Sequence, residues 1–468
     1  MTGLDQGRQP PAGPAAGVQD PAAGGAEPVA GERAGGGERL GPDRPVPRVG
    51  GGPRRAPAGR GWRRAVESLA MRVVFLSHYY PPEVGAPQAR IQALAHALAD
   101  TGMTVTVHTG FPHYPDGIVR PPHRLRRIVV EHDGPVRVVR TWVHPAPNRG
   151  TVRRLAGHAS FAAGAVAHAR TAGPADVVVA ESPPLFTAAG AVAYARRLSA
   201  PLVLNCSDLW PQSAIELGAL RGAAPVAAAE WLERWCYRHA RVVTVPVAGM
   251  ARAAAARGAR AETIGPAVDA ARFAGVPPLD LAAPAGPLRV LYAGTLGLAQ
   301  GLGSVVEAAR IAGPDAVALT LVGDGADGPA LRAAAGPLAH VAVLPSVPAG
   351  AVPGLYAAHD AAVVALRDRA VFADALPTKL FEAFAAGRPA VVAAPEGAAT
   401  ALVRDTGTGV ALAPEDPAAL AAALAALAGD REGLRAMGVR ARALAGERFD
   451  RPVAVAAWRA VLERVRAT

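Results

Sequence analysis

Cysteine, lysine, aromatic residues and long apolar runs are all scarce in this chain of 468 residues, and each scarcity excludes something. Two cysteines, Cys206 and Cys236, cannot make a disulfide framework or a four-thiolate metal centre. Both stand in apolar sequence and read as buried, inert thiols, so an intracellular, cytoplasmic protein is expected. With aromatics at only 5%, a core has to be built from Ala, Val and Leu. The charge-free run Leu155–Ala169 is 15 residues long and carries two histidines, short of the roughly 20 residues a bilayer-spanning helix needs. No membrane span is expected. Charged residues make up 19% and hydrophobic ones 51%, which excludes a wholly disordered chain, a collagen-like repeat and a coiled coil.

Lysine is the rarest of all: of 49 basic residues 48 are arginine, and the single lysine is Lys379. Arginine carries a planar fork, lysine a point charge on a slim stem. The exception therefore reads as a tight site where a guanidinium would not fit. The net charge is +11; the first 70 residues hold 10 Arg against 7 acids, so about +8 remains on the rest. That balance suggests an anionic partner: nucleic acid, a membrane surface or a phosphorylated substrate.

Residues 1–70 contain 26 Gly plus Pro and show no apolar periodicity, a composition that cannot bury enough surface to offset chain entropy. They read as a disordered extension. Arg63-Arg64 does not read as an export signal, because the apolar run after it is short and Pro81-Pro82 follows. From Met71, itself a candidate start, short β-branched runs alternate with Ala-rich helical stretches. The first series is Arg72–Ser77, Val105–Thr109, Val136–Val143, Asp176–Ala180, Leu202–Asn205 and Val242–Val245. The second is Arg289–Ala293, Ala318–Val322, Val341–Leu344, Ala361–Leu366 and Ala390–Ala393. Continuous apolar strands separated by helices predict parallel sheets covered on both faces. The expected architecture is α/β: two doubly wound, Rossmann-like domains, 71–272 and 288–450, joined by a hinge at 273–287. A last helix, 451–468, is expected to cross to the first domain. Ligands of such sheets bind beyond the carboxyl ends of the strands.

Four loops lie there. The first runs from His78 through Pro81-Pro82-Glu83-Val84-Gly85 into a helix carrying Arg90, and a glycine turn feeding a helix start presents amides to an anion. The second, Gly294-Thr295-Leu296-Gly297-Leu298-Ala299-Gln300-Gly301, has no cation, so a phosphate there would rely on amides, Thr295 and Gln300. The third, Gly323-Asp324-Gly325-Ala326-Asp327-Gly328, matches the dinucleotide fingerprint to the letter. It lacks the ribose-binding acid some 20 residues on, where Pro345-Ser346 stands, and it reads as a structural turn. The fourth is the strongest. Asp374 and Glu382 stand eight apart around the only lysine, in Pro377-Thr378-Lys379-Leu380-Phe381-Glu382. A helix from Thr378 would put Glu382 one turn in and Asp374 in the preceding loop. That offers a hydroxyl acceptor for a ribose, donors for a diphosphate and an acid to orient a sugar.

These motifs resemble those of retaining glycosyltransferases of GT-B fold, family 4 (group 1), and more narrowly their WbuB-like branch. The resemblance runs from Met71 to Thr468 and rests on Pro-Pro-Glu-x-Gly, Gly110–Gly117, Asp208-Leu209-Trp210-Pro211, the Gly294–Gly301 loop and Pro377–Glu382. It implies that Glu382 binds the donor ribose and that Asp374, shorter by one methylene than the family's glutamate, contacts the donor sugar. Gly85 and Gly294 would lie against the diphosphate, with Thr295, Gln300, Pro377, Thr378 and Lys379 completing the donor site. Family cations of the second loop are Thr295 and Gln300 here, which makes Lys379 the replacement. A family histidine near the reaction centre is missing after the relevant strand, where Glu181-Ser182-Pro183-Pro184 stands; Asp208 and His113 are the candidates for its part. Asp374, Lys379 and Asp208 are thus the catalytic candidates, and Arg90, His113 and Asp208 those on the acceptor side.

The implied reaction moves a sugar, with UDP the favoured carrier, from a nucleotide-diphosphate sugar to a saccharide or polyprenyl-pyrophosphate-linked acceptor in cell-surface polysaccharide assembly. No Asp-x-Asp metal signature is present, so no metal or other cofactor is expected. The stretch Arg120–Arg154 holds nine Arg against two acids and reads as either a solvated face or contact with anionic lipid headgroups or a lipid-linked pyrophosphate acceptor, the lipid contact placing the protein on the inner membrane face. Its aromatics are too few for nucleic acid. Two other readings remain: a non-hydrolysing nucleotide-sugar epimerase of the same fold, and an inactive sugar-nucleotide binding module.

Overall fold

The computed structural model describes residues 70–83, 85–114, 116–145, 151–216, 218, 220–280 and 286–468. The expected disorder of 1–70 falls, but for Ala70, outside the described residues. Within them the chain forms two α/β domains. The first sheet contains β1 (Arg72–Leu76), β2 (Thr104–Gly110), β3 (Ile128–Asp133), β4 (Val136–Thr141), β5 (Val177–Ser182), β6 (Leu202–Cys206), β7 (Val242–Val245) and β8 (Ala261–Thr263). Their spatial order is β3-β4-β2-β1-β5-β6-β7-β8. The second sheet contains β9 (Leu288–Ala293), β10 (Val317–Val322), β11 (Val341–Leu344), β12 (Ala361–Ala365), β13 (Ala390–Ala393) and β14 (Gly409–Leu412), ordered β11-β10-β9-β12-β13-β14.

The apolar runs become central strands because helices cover both faces; β5 is buried at all six positions. Three strands depart from the expected series. β8 and β14 lie at sheet edges, where short and less buried sequence suffices. β3 pairs antiparallel with β4, through a turn at Gly134-Pro135 in which Gly134 takes φ +56°. The stretch Arg120–Arg154 is therefore not one cationic face. Arg140 is buried, its Nε donating to Glu131 and its other nitrogens to the carbonyls of Gly110 and Pro81. Residues 146–150 lie outside the described residues.

Both domains open with the same clamp. Arg72 at the start of β1 gives its backbone N–H and its guanidinium to Asp176, at 2.8 and 2.6 Å. Arg289 at the start of β9 does the same to Asp360, at 2.9 and 2.7 Å. Each clamp ties a first strand to the one beside it at the amino-terminal edge, leaving the carboxyl edge for ligands.

The chain passes between the sheets at Val268 and Asp450, which run side by side as a parallel bridge. Phe273 and Val276, assigned by composition to the hinge 273–287, are instead buried in the second core beside Phe381, Phe384 and Phe449. Two apolar anchors were hidden there among Pro, Gly and Ala. Asp450 accepts the N–H of Arg451 and starts the last helix, Arg451–Ala467. Val455, Trp458, Val461, Leu462 and Val465, spaced three and four apart, bury against β1, β2 and β5 of the first sheet. Five such side chains contribute roughly 10 kcal/mol of transfer free energy before entropy is subtracted. That contact ties the chain's end to its first domain.

Candidate active site

The site grows from the end of β9. Tyr292 is fully buried and its hydroxyl donates to the Thr295 carbonyl at 2.7 Å, which turns the Gly294–Gly301 loop back over the ring. Gly294 sits at φ +144°, outside the range of ordinary side chains. Space is the second constraint: a Cβ there would lie 3.1 Å from Lys379 Nζ. Lys379 belongs to the first turn of the helix Thr378–Ala385, which begins after Pro377. Its ammonium rests 3.7 Å from the Tyr292 ring centroid, a cation–π contact. Burial pushes its pKa down to about 7, and the nearby Glu382 opposes that only partly. Glu382, half-buried one turn along, is itself raised by burial against the pull of Arg272 and Lys379. A compact ammonium in so narrow a space accounts for a lysine in an arginine-dominated chain.

The dinucleotide-like segment supports this loop. A Cβ on Gly323 would fall 1.9 Å from the Gly294 carbonyl oxygen, and one on Gly325 2.2 Å from that of Leu296. The backbones also bond directly, Leu296 N–H to Asp324 O and Asp327 N–H to Leu296 O, both at 2.9 Å. Its glycines permit the contact. Asp324 accepts from the backbone N–H and the hydroxyl of Ser346, where a ribose-binding acid would stand in a dinucleotide site. The loop after β12 closes the other side, with Arg367 N–H on Ala299 O at 2.9 Å and Asp368 N–H on Glu415 at 3.0 Å.

Gly294, Pro377, Thr378, Lys379 and Glu382 thus come together, with Thr295 and Thr378 exposed. Gln300 turns its buried, unpartnered Oε1 toward Gly297. Asp374 stands apart from this group. A Cβ on Gly249 would fall 1.9 Å from Asp374 Oδ1, so the carboxylate lies against the start of the first-domain helix Ala248–Ala256. Leu376 beside it packs against both cores. In this structure Asp374 is an interdomain contact.

The first-domain candidates have partners of their own. Glu83 of the Pro-Pro-Glu loop accepts the backbone N–H groups of His113 and Tyr114 at 2.9 and 2.8 Å, holding the second loop to the first. The His113 ring pairs with the Phe111 carbonyl at 2.8 Å. His78 packs edge-on against His113 and His158. Burial lowers His78 well below its ordinary value and His158 to about 4. Arg90 binds Glu181 at 2.9 Å; Glu181 also takes Asn205, whose Oδ1 accepts from Thr244 at 3.0 Å. Asp208 is exposed and accepts from Ser213 at 2.8 Å. Gly85 precedes the helix Ala86–Asp100 in extended backbone, where a Cβ would meet Gln88 at 2.4 Å.

Tyr292, Gly249, Arg272 and the Arg367–Asp368 loop were not foreseen. Only the last had a signal, its place after a strand of the second sheet. Both cysteines are buried, and burial pushes each thiol up to about 12. Among the described residues no helix is long and apolar enough to cross a membrane.

Residues 85–266 match the family described as glycosyl transferase 4-like domain and residues 287–430 that described as glycosyl transferases group 1, so that together they span more than half the chain. No curated protein matches it. Among solved structures, sucrose-phosphate synthase from Thermosynechococcus elongatus is similar at a TM-score of 0.64 and 17% identity, over 85% of this chain and 99% of that one. HepE of Anabaena, in complex with UDP and glucose, gives 0.61 and 20%, over 84% and 99%. The apo lipopolysaccharide outer core galactosyltransferase WaaB gives 0.55 and 14%, over 84% and 100%. At these identities the likeness is one of fold.

Proposed function

We propose that this chain, which belongs to the group 1 glycosyltransferases of GT-B fold, transfers a sugar with retention from a nucleotide-diphosphate sugar to a saccharide or lipid-linked acceptor. The observation that carries the reading is Lys379 Nζ lodged between the Tyr292 ring and the bare backbone of Gly294, at the start of a helix. A leaving diphosphate placed there meets an ammonium, the amides of the glycine loop and a helix N-terminus. Glu382 takes the ribose hydroxyls. UDP is the favoured carrier, because UDP is bound by HepE.

In the reaction the bond from the anomeric carbon to the phosphate oxygen breaks, and the nucleoside diphosphate leaves with the electron pair. The acceptor oxygen bonds the same face of the carbon, and its proton passes to the departing phosphate. The protein supplies position and charge. No metal is assigned to the donor phosphates, since Lys379, Thr295 and the amides supply the donors. For Asp374 to reach the donor sugar, its carboxylate has to leave Gly249; a sugar entering the cleft would take that place. Asp208 and His113 are the candidates for the acceptor side. Assembly of cell-surface polysaccharide at the inner membrane face, with peripheral contact through part of Arg120–Arg154, completes the reading.

Diphosphate release from a panel of nucleotide sugars, with short lipid-linked acceptors, tests it. Lys379→Ala should lower turnover by about a hundredfold or more at an unchanged melting temperature. Full activity in that variant would remove the assignment. Donor conversion without any acceptor would indicate an epimerase instead.

A further inference from the structure

Within the basic stretch some arginines are engaged inside the protein and others are free to bind. Arg140 is spent internally, on Glu131 and two backbone carbonyls. Arg120 pairs with Asp116. Among the described residues no carboxylate pairs with Arg124, Arg126 or Arg127, and all three are exposed. Leu125 stands in their midst, 98% exposed, with its backbone at φ +66°. That conformation is uncommon for a bulky side chain. Ile118 and Trp142 are exposed beside it, at 54% and 49%. The backbone N–H of Trp142 donates to the Arg127 carbonyl at 3.0 Å, which ties the chain just after β4 to this loop. Together these apolar side chains and the arginines line one cavity of about 920 Å³.

Exposed apolar side chains grouped among unpaired cations are costly in water and suited to a boundary between water and hydrocarbon. We propose that the loop Gly117–Arg127, with Trp142, docks this protein on an anionic lipid leaflet. Leu125, Ile118 and Trp142 enter the interface, and Arg124, Arg126 and Arg127 meet the phosphate headgroups. This narrows the peripheral contact of the reading above to one surface. It shares no residue with the donor site, so its failure and that of the transfer reading are told apart.

The test uses the full chain and sedimentation with vesicles of phosphatidylcholine alone or mixed with phosphatidylglycerol. Binding is expected only to the mixed vesicles and is expected to weaken with salt. Replacing Arg124, Arg126 and Arg127 together by glutamine should weaken it about a hundredfold. Leu125→Glu should weaken it several-fold, while nucleoside-diphosphate binding stays unchanged in both variants. Because Cys206 and Cys236 are buried, Leu125→Cys offers one accessible thiol for an environment-sensitive dye, whose emission should shift to the blue on mixed vesicles. Equal binding to neutral vesicles, an unmoved dye, or undiminished binding by the triple variant would overturn the proposal. So would tighter binding to a DNA oligonucleotide than to the mixed vesicles.

Discussion

The two domains are alike at one edge and unlike at the other. Their amino-terminal edges carry the same Arg–Asp clamp, with corresponding distances that agree within 0.1 Å. Their carboxyl edges follow different rules. In the first domain the charges are answered from within: Glu83 by two amides, Arg90 by Glu181, Asp208 by Ser213. In the second domain a half-buried ammonium rests on an aromatic ring and bare backbone, with Glu382 only partly compensating it. An edge whose charges are satisfied is a rigid platform. An edge holding an under-compensated cation is prepared for an anion, because the ligand supplies what the fold withholds.

The contrast can be broken most directly at Glu83. Glu83→Ala removes the carboxylate that accepts the buried N–H of His113 and the half-buried N–H of Tyr114, and should cost about 2–4 kcal/mol of stability in a denaturant titration. Nucleoside-diphosphate affinity, which the proposed function assigns to the other edge, should hold. A comparable loss of affinity would mean that the two edges are not independent.

Gly294→Ala sharpens the other side. The new methyl meets Lys379 Nζ at 3.1 Å in a backbone region alanine avoids, so the ammonium must move. Calorimetry should show diphosphate binding about tenfold weaker. Unchanged affinity would place the phosphates elsewhere.

A smaller effect concerns pH. Because burial holds Lys379 near pKa 7, the free site loses its charge as pH rises above 7, while a bound diphosphate favours the charged form. Binding above pH 7 should therefore take up a proton. Affinity should fall with rising pH by at most about tenfold per unit, and the trend should vanish in Lys379→Ala. Buffers of different ionisation enthalpy read the uptake in calorimetry. The smallest change is expected from Asp208→Asn, about 0.5–1 kcal/mol of stability at this exposed contact with Ser213.

Much of this was legible as sequence. Strands such as Val177–Ser182 and Ala390–Ala393 follow from continuous apolar residues, and the lone lysine stands out by composition alone. The antiparallel β3 is not legible in the charge pattern of its stretch, although a glycine opens the two-residue turn Gly134-Pro135 that joins it to β4. Asp374 was placed correctly in the loop before the helix, yet nothing local shows that its carboxylate reaches Gly249 in the other domain.

The order of residues by itself determined which segments become strands, where glycines must permit close approach, and which charge has no equal in the chain. These are local matters of propensity, volume and composition. Only the tertiary structure decided that Tyr292 lies under the ammonium, that Arg140 is consumed while Arg124, Arg126 and Arg127 are not, and that the Asp374 carboxylate lies against Gly249. Each joins residues far apart in the chain, and such partners are chosen by packing and desolvation in three dimensions, which neighbouring sequence does not encode.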